Sequence, residues 1–345
     1  MRRIVTSLLV ILTVISASAQ AQNLIDKQGR KQGHWIKTDK DGSKIFEGDF
    51  KDGHEVGTFR YYYPDGTLRI LNEFEPDGKR CRHEAYDEKG HKLATGFFNQ
   101  KNRDGEWRLY NEQGHLVKIA NYRMGIREGI QIIFNANGDT AEVSHWQDNR
   151  RHGRWWRRLG KQGYITGNYN HGAMDGDVIE FDDSLRMVSH GQYRNGMREG
   201  EYKYYEEGVL SVIEQWNEDN LSGRKIRIMR PESEFISMYD IAYLVPKGKN
   251  KVLLCTMEGK EFDTYEPFDN LYYRLGNEHF FLANKKSRAM VAKDCVIGII
   301  KEGGADGATY LDLDPKPSFK IFPDEDCIKA IESIQIEGAG ELEAE

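Results

Sequence analysis

One short string, from Arg150 to Arg158, combines the residue types best suited to contact a charged partner. It reads Arg-Arg-His-Gly-Arg-Trp-Trp-Arg-Arg, and Lys161 follows it closely. Arginine can pair with phosphate or carboxylate groups, and tryptophan can stack on sugar rings or bases. The candidate ligand-binding residues are Arg151, Arg154, Trp155, Trp156, Arg157 and Arg158.

Side chains alternate between the two faces of a β-strand, which divides this string into two sets. Arg154, Trp156 and Arg158 share one face, and Trp155 and Arg157 share the other. The first set would be an Arg-Trp-Arg surface for an envelope glycan or a phosphate-bearing lipid. The structural alternative places Trp155 in a core position and the arginines in cross-strand salt bridges. The sequence leaves both interpretations open.

Motifs for catalysis or metal binding are absent from the sequence. It contains no G-x-S-x-G nucleophile elbow, no G-x-x-x-x-G-K-[ST] phosphate loop and no zinc-binding histidine spacing. The Gly-rich segment 303–307 lacks the phosphate-loop lysine and is predicted to form a turn. Acidic residues near the C-terminal end could hold Ca²⁺ but lack EF-hand spacing; they are Asp312, Asp314, Asp324, Glu325 and Asp326. We therefore predict no enzyme, no metal and no cofactor.

The composition predicts short strands and tight turns. The chain has 345 residues, with 35 Gly, 8 Pro and 11% aromatic residues. Glycine with many aromatic residues favours turns and strands over helices. A mean hydropathy of −0.71 argues against a bundle of membrane-spanning helices.

Two series of residues recur with a fixed spacing. The first is a glycine slot that is followed two residues later by an aromatic residue in most copies; it comprises Gly33, Gly57, Cys81, Gly105, Gly129, Gly153, Gly176, Gly200 and Gly223. Six of its eight gaps are 24 residues and two are 23. The second slot is always aromatic: Phe50, Phe74, Phe98, Tyr122, Trp146, Tyr169, Tyr193 and Trp216. Such locked spacing indicates about eight copies of one supersecondary unit.

Each unit is predicted to be a β-hairpin. Asn137-Gly138 and Asp65-Gly66 are turn dipeptides that tolerate positive φ. After the turn, apolar residues alternate, as in Leu116, Ala120 and Tyr122, which is typical of a half-buried antiparallel strand. One hairpin buries too little apolar surface to be stable alone, so neighbouring hairpins must pack together. The regular aromatic slots are explained more readily as this packing core than as a glycan-binding ladder.

The unit resembles the MORN repeat, and its spacing is similar to the bacterial 24-residue variant. The resemblance covers Gly33 to Gly223. The departures are local: Cys81 and His83 replace the glycine and aromatic of the third copy, and Leu185 occupies the later glycine slot of the seventh. The resemblance implies an elongated hairpin ribbon that serves as a scaffold, a dimerisation surface or a membrane-proximal platform.

The pattern changes after residue 230, where a small β-rich or α+β domain without a recognised family is predicted over 231–337. Strands are expected at 252–257 and 272–275, strand or helix at 289–300, and a short helix at 324–333. Residues 231–345 carry 13 basic and 22 acidic residues, a net charge of −9, which argues against nucleic acid as a partner. Residues 338–345 are predicted to be a disordered acidic tail.

The first 21 residues read as a signal peptide. Arg2 and Arg3 precede an apolar stretch too short to span a membrane, and cleavage is expected near Ala19 or Ala21. The predicted location is periplasmic or secreted, where disulfides are possible. Cys295–Cys327 is a candidate pair, with buried free thiols as the alternative.

Taken together, the sequence predicts an exported, non-catalytic repeat scaffold that binds a protein partner in the cell envelope. Two alternatives stay open. One is a module that binds envelope glycan or phospholipid through the Arg/Trp cluster. The other is an enzyme whose site lies in the C-terminal domain.

Overall fold

The computed structural model describes residues 22–276, 278–302 and 308–342, with side chains up to residue 333. The predicted signal peptide and the segment 303–307 lie outside the described residues. The chain divides into two compact units, residues 1–150 and 151–345, and each is described by itself.

The first unit is built from antiparallel strands, each paired with the next along the chain. They are β1 (Leu24–Ile25), β2 (Lys31–Thr38), β3 (Lys44–Lys51), β4 (His54–Tyr62), β5 (Leu68–Phe74), β6 (Arg80–Tyr86), β7 (Lys92–Asn99), β8 (Asn102–Tyr110), β9 (Leu116–Arg123), β10 (Ile126–Phe134) and β11 (Thr140–Gln147). Strand β12 (Arg150–Arg158) follows and begins the second unit.

The second unit continues with hairpins and ends in mixed elements. Its remaining repeat strands are β13 (Tyr164–Asn170), β14 (Ala173–Met174), β15 (Gly176–Phe181), β16 (Met187–Arg194), β17 (Met197–Glu206), β18 (Val209–Asn217), β19 (Asn220–Met229) and β20 (Ser233–Ser237). The C-terminal elements are β21 (Ile241–Pro246), β22 (Val252–Thr256), β23 (Glu261–Thr264), α1 (Phe268–Leu275), β24 (Phe280–Leu282), β25 (Met290–Ala292), β26 (Val296–Lys301), β27 (Thr309–Leu313) and α2 (Glu325–Leu342). The predicted fold class, β-hairpin repeats followed by a small α+β region, is confirmed.

The hairpin turns follow directly from their sequence. In the β8–β9 turn, the Asn111 side-chain oxygen accepts hydrogen bonds from the backbone N–H groups of Gln113 and His115, both at 3.0 Å. Gly114 adopts a φ of 78°, which glycine tolerates without steric cost. The Asx-x-x-Gly sequence sets this turn and recurs in the hairpin turns that begin at Asp39, Asp87 and Asn135.

The first glycine slot makes a bulge. At Gly105, with a φ of 72°, the register between β7 and β8 shifts. The third copy carries Cys81 in this slot, where a left-handed backbone would be strained. There β5 and β6 pair without a shift, as in Phe74 opposite Cys81. The bulge is thus present where the sequence supplies glycine and absent where it does not.

Aromatic side chains form the core of the repeats by lying over small residues of the preceding strand. A Cβ added at Gly48 would lie 2.5 Å from the Phe59 ring, and one added at Gly191 would lie 1.9 Å from the Tyr202 ring. Phe59 has no exposed surface and stacks edge-on with Phe50 at 5.1 Å. Aromatic and small residues alternate in this way because the ring needs the space above a glycine.

The Gly96→Ala substitution is expected to destabilise the first unit by about 1–3 kcal/mol through overpacking. The added Cβ would lie 2.4 Å from the Trp107 ring, whose indole N–H is fixed by a 3.0 Å hydrogen bond to the Phe97 carbonyl. Urea denaturation measures the loss. Gly223→Ala is the control, since its Cβ would meet only the Gln215 Cβ at 3.7 Å. Equal losses for the two variants would show that the ring contact is unimportant.

The C-terminal elements share their core with the last repeat strands. Ile226 and Ile228 of β19 are fully buried in one cluster with Leu244, Leu254 and Leu271. Strands β21 to β25 form a five-stranded sheet in the order β23-β22-β21-β25-β24, and β26 pairs with β27. The predicted domain boundaries stay predictions. The apolar core includes residues on both sides of residue 230.

Some predicted elements of this region differ from the structure. Residues 272–275 are not a strand but the end of helix α1, because Phe268, Leu271 and Leu275 place buried side chains on one helical face while Tyr273 points to solvent. The open segment 289–300 contains two strands separated by a 3₁₀ turn at Lys293–Cys295. Helix α2 runs through residues 338–342 of the predicted acidic tail, and residues 343–345 lie outside the described residues.

The four cysteines are buried free thiols, so the candidate Cys295–Cys327 disulfide is not formed. Burial raises the pKa of both thiols to about 11. Little thiolate is present at neutral pH, which makes these thiols poor nucleophiles. The Cys295 thiol instead lies 3.2 Å from the Met257 sulfur.

Candidate functional site

Strand β12 separates the six predicted ligand-binding residues between two faces. Trp155 is only 5% exposed, Trp156 is half-buried, and Arg154, Arg157 and Arg158 are exposed. In the pairing of β12 with β13, Trp155 lies opposite Gly167 and Trp156 lies opposite Thr166. The structure therefore brings together the Trp156 face and removes Trp155 into the repeat core.

Arg151 also belongs to the core face. Its guanidinium lies 5.3 Å from the Tyr169 ring centroid and donates a hydrogen bond to the Tyr169 hydroxyl at 3.2 Å. The same arrangement occurs at Arg198 over Trp216, at 3.3 Å. An arginine two residues before the glycine slot thus covers the ring of the second slot by a cation–π contact. Trp155 thus occupies the core position of the structural alternative, and Arg151 packs on the ring of Tyr169.

The remaining cations lie in three places: Arg158 is on the Trp156 face, Arg157 is on the face of Trp155, and Lys161 is in the turn that follows β12. Among the described residues, no ion pair is formed by Arg157, Arg158 or Lys161. Cross-strand salt bridges therefore do not explain these three side chains. Arg154 has an interaction of its own and lines a neighbouring groove of about 370 Å³ with Asn168 and Asp177.

Trp156 and Arg158 line a groove of about 430 Å³ between two successive hairpin turns, which we call the Trp156 groove. Its other lining residues are Gly160, Lys161, Gly163, Tyr164, Asp182, Asp183 and Leu185. The Tyr164 ring stacks on Phe181 with 4.8 Å between centroids and 18° between planes. The groove combines aromatic walls with cations at its rim.

The Trp156 groove lies beside a position at which the sixth hairpin lacks an aromatic residue that six other hairpins have. Five residues after the first glycine slot, these hairpins carry Tyr62, Tyr86, Tyr110, Phe134, Phe181 and Tyr205. The sixth hairpin carries Arg158, and the first has Thr38. The register shifts at this position in the aromatic hairpins, as at Tyr110, and also at Thr38 of the first hairpin, but β12 and β13 pair without a shift. The sequence analysis missed this third series, although its spacing would have revealed the exception.

Leu185 at the groove is conformationally strained and exposed. It has a φ of 63°, and 69% of its surface is accessible to solvent. The corresponding residue of the fifth hairpin is Gly138, with a φ of 85°. A left-handed backbone costs a non-glycine residue about 1–2 kcal/mol. The exposed leucine gains little for the fold in return.

The Leu185→Gly substitution is expected to stabilise the second unit by about 1 kcal/mol, because it relieves this strain. The turn itself stays supported, since Asp182 accepts hydrogen bonds from the backbone N–H groups of Ser184 and Arg186, both at 2.9 Å. Thermal unfolding measures the gain. Gly138→Leu in the first unit is the reciprocal control and is expected to lose a similar amount. A destabilised L185G variant would contradict the strain argument.

Of the two acidic residues in the Trp156 groove, Asp182 is already engaged. The backbone N–H of Arg186 is the main cause that lowers the pKa of the Asp182 carboxyl, and its side chain forms a 2.8 Å ion pair with the carboxylate. Asp182 therefore serves its own turn. Arg158 and Lys161 are left facing Asp183, a net positive rim.

The densest set of buried ionisable groups lies between the last repeats and the C-terminal elements. The guanidinium of Arg274, with 2% side-chain exposure, pairs with Glu206 at 2.6 Å and Glu266 at 2.5 Å. Burial alone would lower the pKa of Arg274, but the two carboxylates outweigh it and raise it. Glu214 likewise pairs with Arg224 and accepts from Tyr204 at 2.9 Å. These groups neutralise one another, as expected of a structural junction.

Metal ligation finds no support in the part of the chain that the structure covers. No cluster of three or more His, Cys, Asp or Glu side chains arranged to hold a metal ion is found there. The acidic residues Asp324 and Asp326 are used locally: the Asp324 carboxylate accepts from the backbone N–H of Cys327 at 3.0 Å, and Asp326 pairs with Lys285 at 2.5 Å.

Comparison with known families identifies the repeats. Residues 55–79 and 103–124 match the family model of the MORN repeat variant. These two segments are MORN repeats of the variant type. The matched segments contain strands β4 to β5 and β8 to β9, so the repeat is the hairpin unit described above. No curated protein matches the chain.

MORN repeats are interaction modules for proteins or lipids, and the hairpin-repeat fold is typically non-catalytic. None of the helices in the described ranges is long and apolar enough to cross a membrane. The Trp156 groove lies where the hairpin pattern departs at both Arg158 and Leu185.

Proposed function

We propose that this protein is an exported, non-catalytic scaffold that holds a protein partner in the cell envelope. The observation that carries the proposal is that the two faces of strand β12 have different roles. Its inner face is consumed by packing of Trp155, whereas its outer face presents Trp156 and the unpaired Arg158. Buried aromatics make a hairpin repeat rigid, and exposed aromatic and arginine side chains are the residue types enriched at protein interfaces.

Export is supported by the sequence of residues 1–21, with its basic start, short apolar stretch and Ala-x-Ala sites. The test is the N-terminal sequence of protein recovered from a cell-envelope fraction. A mature chain that begins at Gln20 or Gln22 supports export. Recovery with Met1 retained in the cytoplasmic fraction overturns it.

The scaffold proposal is tested by cross-linking the mature protein in its native envelope and recovering it under denaturing conditions. Mass spectrometry then identifies cross-linked chains, with an equally expressed, unrelated exported protein as the control bait. One defined protein, cross-linked at the same residues in repeat experiments, supports the scaffold. Recovery of envelope glycan or lipid with no protein favours the second candidate instead.

That second candidate is a module that binds envelope glycan or phospholipid. The observation favouring it is the pairing of two aromatic walls, Trp156 and Tyr164, with the cations Arg158 and Lys161 in one groove. Aromatic rings stack on sugars, and guanidinium groups pair with phosphate. Binding of this kind is expected to weaken with added salt.

A further inference from the structure

We propose that the Trp156 groove receives an aromatic side chain from an acidic segment of the partner protein. This inference rests on the proposed scaffold function and names where, and to what chemistry, the partner docks. The groove lies wholly within the second unit.

The shape argument comes from the repeat itself. Six other hairpins carry a Tyr or Phe ring at the position of Arg158. In the sixth hairpin the arginine is exposed and lines an open groove of about 430 Å³. A groove at a position where the repeat otherwise carries a ring can accept a ring supplied by another chain.

The walls of the groove suit an aromatic occupant. Tyr164 is held in place by its stack on Phe181, and Trp156 is half-buried, so both rings are pre-ordered. Pre-ordered aromatic walls reduce the entropy that binding must overcome. Leu185 adds an exposed apolar side chain at the rim, retained in a strained backbone conformation. Strained residues that gain nothing for the fold tend to cluster at binding sites.

The charges at the rim of the Trp156 groove favour a partner segment that has acidic residues next to the inserted ring. Arg158 and Lys161 have no carboxylate partner among the described residues, whereas Asp182 is already paired with Arg186. Carboxylates on either side of the inserted aromatic residue would pair with the two free cations. A basic segment would place like charges beside Arg158 and Lys161 and supply no carboxylate to pair with them. Its binding is therefore disfavoured.

The test uses the full mature protein and a fluorescently labelled peptide, Gly-Asp-Glu-Tyr-Asp-Glu-Gly, with binding followed by fluorescence anisotropy. The Arg158→Tyr variant restores the repeat pattern and fills the groove with the protein's own ring. We expect wild-type protein to bind the peptide and R158Y to lose at least about tenfold in affinity, while unfolding at a temperature no lower than wild type. T38Y adds the same ring at the corresponding place of the first hairpin and is expected to bind like wild type.

Two further variants separate the roles of charge and apolar contact. Lys161→Gln is expected to weaken binding about two- to fivefold, as for one exposed ion pair. Lys89→Gln, at the corresponding turn position of the third hairpin, is the matched control and is expected to change nothing. L185G is expected to weaken binding while raising stability, an outcome that damage to the fold would not produce.

Three results would overturn the inference. They are equal binding by R158Y, equal binding of a peptide in which Tyr is replaced by Ala, and displacement of the peptide by vesicles of phosphatidylglycerol but not by unlabelled peptide. The cross-linking experiment keeps this failure distinct from failure of the scaffold proposal. If R158Y retains the partner protein, the scaffold proposal holds and the groove proposal fails. If no protein partner is recovered, both proposals fail.

Discussion

Replacing Arg274 by methionine is expected to lower the free energy of unfolding of the second unit by about 3–5 kcal/mol, since it removes the cation that Glu206 and the buried Glu266 share. The guanidinium is 2% exposed, pairs with Glu206 and Glu266 and donates to the Arg227 carbonyl at 2.7 Å. Without it, Glu266, which is 4% exposed, loses its cation, while the Met229 N–H still donates to its carboxylate at 2.9 Å. Urea denaturation followed by tryptophan fluorescence measures the loss.

Two companion variants make this result specific. Arg288→Met removes an exposed ion pair with Asp269 and is expected to cost less than about 1 kcal/mol. The double variant Arg274→Met with Glu266→Gln is expected to recover part of the loss, because the stranded carboxylate is gone. Similar losses for the Arg274 and Arg288 variants would show that the junction between the last repeats and helix α1 is not held by this network.

The second large effect separates two adjacent tryptophans of strand β12. Trp155→Ala is expected to cost about 3–5 kcal/mol, as for a large core side chain. Trp155 is 5% exposed, lies 5.5 Å from the Tyr169 ring, and has an indole N–H without a hydrogen-bond partner, so its contribution is packing alone. Trp156→Ala is expected to cost less than about 1.5 kcal/mol, because its side chain is half-buried.

Binding should show the reverse order. Trp156→Ala is expected to abolish binding of the acidic tyrosine peptide in a protein that is still folded. Trp155→Ala, measured at a temperature where it is folded, is expected to retain it. Stability is followed by thermal unfolding and binding by anisotropy on the same samples. Equal stability losses at the two positions would mean that the faces of β12 are not divided as the structure places them.

Much of the repeat architecture could be predicted from spacing alone. The glycine slot, the second aromatic slot and the Asx-x-x-Gly turns are local signals, and they place Gly105 in its bulge and Gly114 in its turn. Leu185 was recognised as a departure from the glycine slot, and the structure shows it in the left-handed conformation of that slot. The string around Trp156 was recognised by composition, together with two residues, Arg151 and Trp155, that serve the core instead.

The C-terminal region was harder to predict for a physical reason. It is not a repeat, so no spacing separates core positions from surface positions. The short stretch 272–275 offers too few residues to distinguish a strand from the end of a helix. The partners of Arg274 are 68 and 8 residues away along the chain, and no local sequence pattern predicts such pairs.

The amino-acid sequence by itself determined the hairpin, its period and its core face, because turns, bulges and alternation depend on neighbours within a few residues. It also determined where the pattern breaks, at Cys81, Arg158 and Leu185. Only the tertiary structure decided what these breaks produce. The Trp156 groove arises from the packing of two successive hairpin turns, and within the described residues Arg158 and Lys161 form no ion pair with the carboxylates that line it. Interactions between residues close in sequence determine each hairpin, whereas the packing of one hairpin on the next creates the surface that can bind.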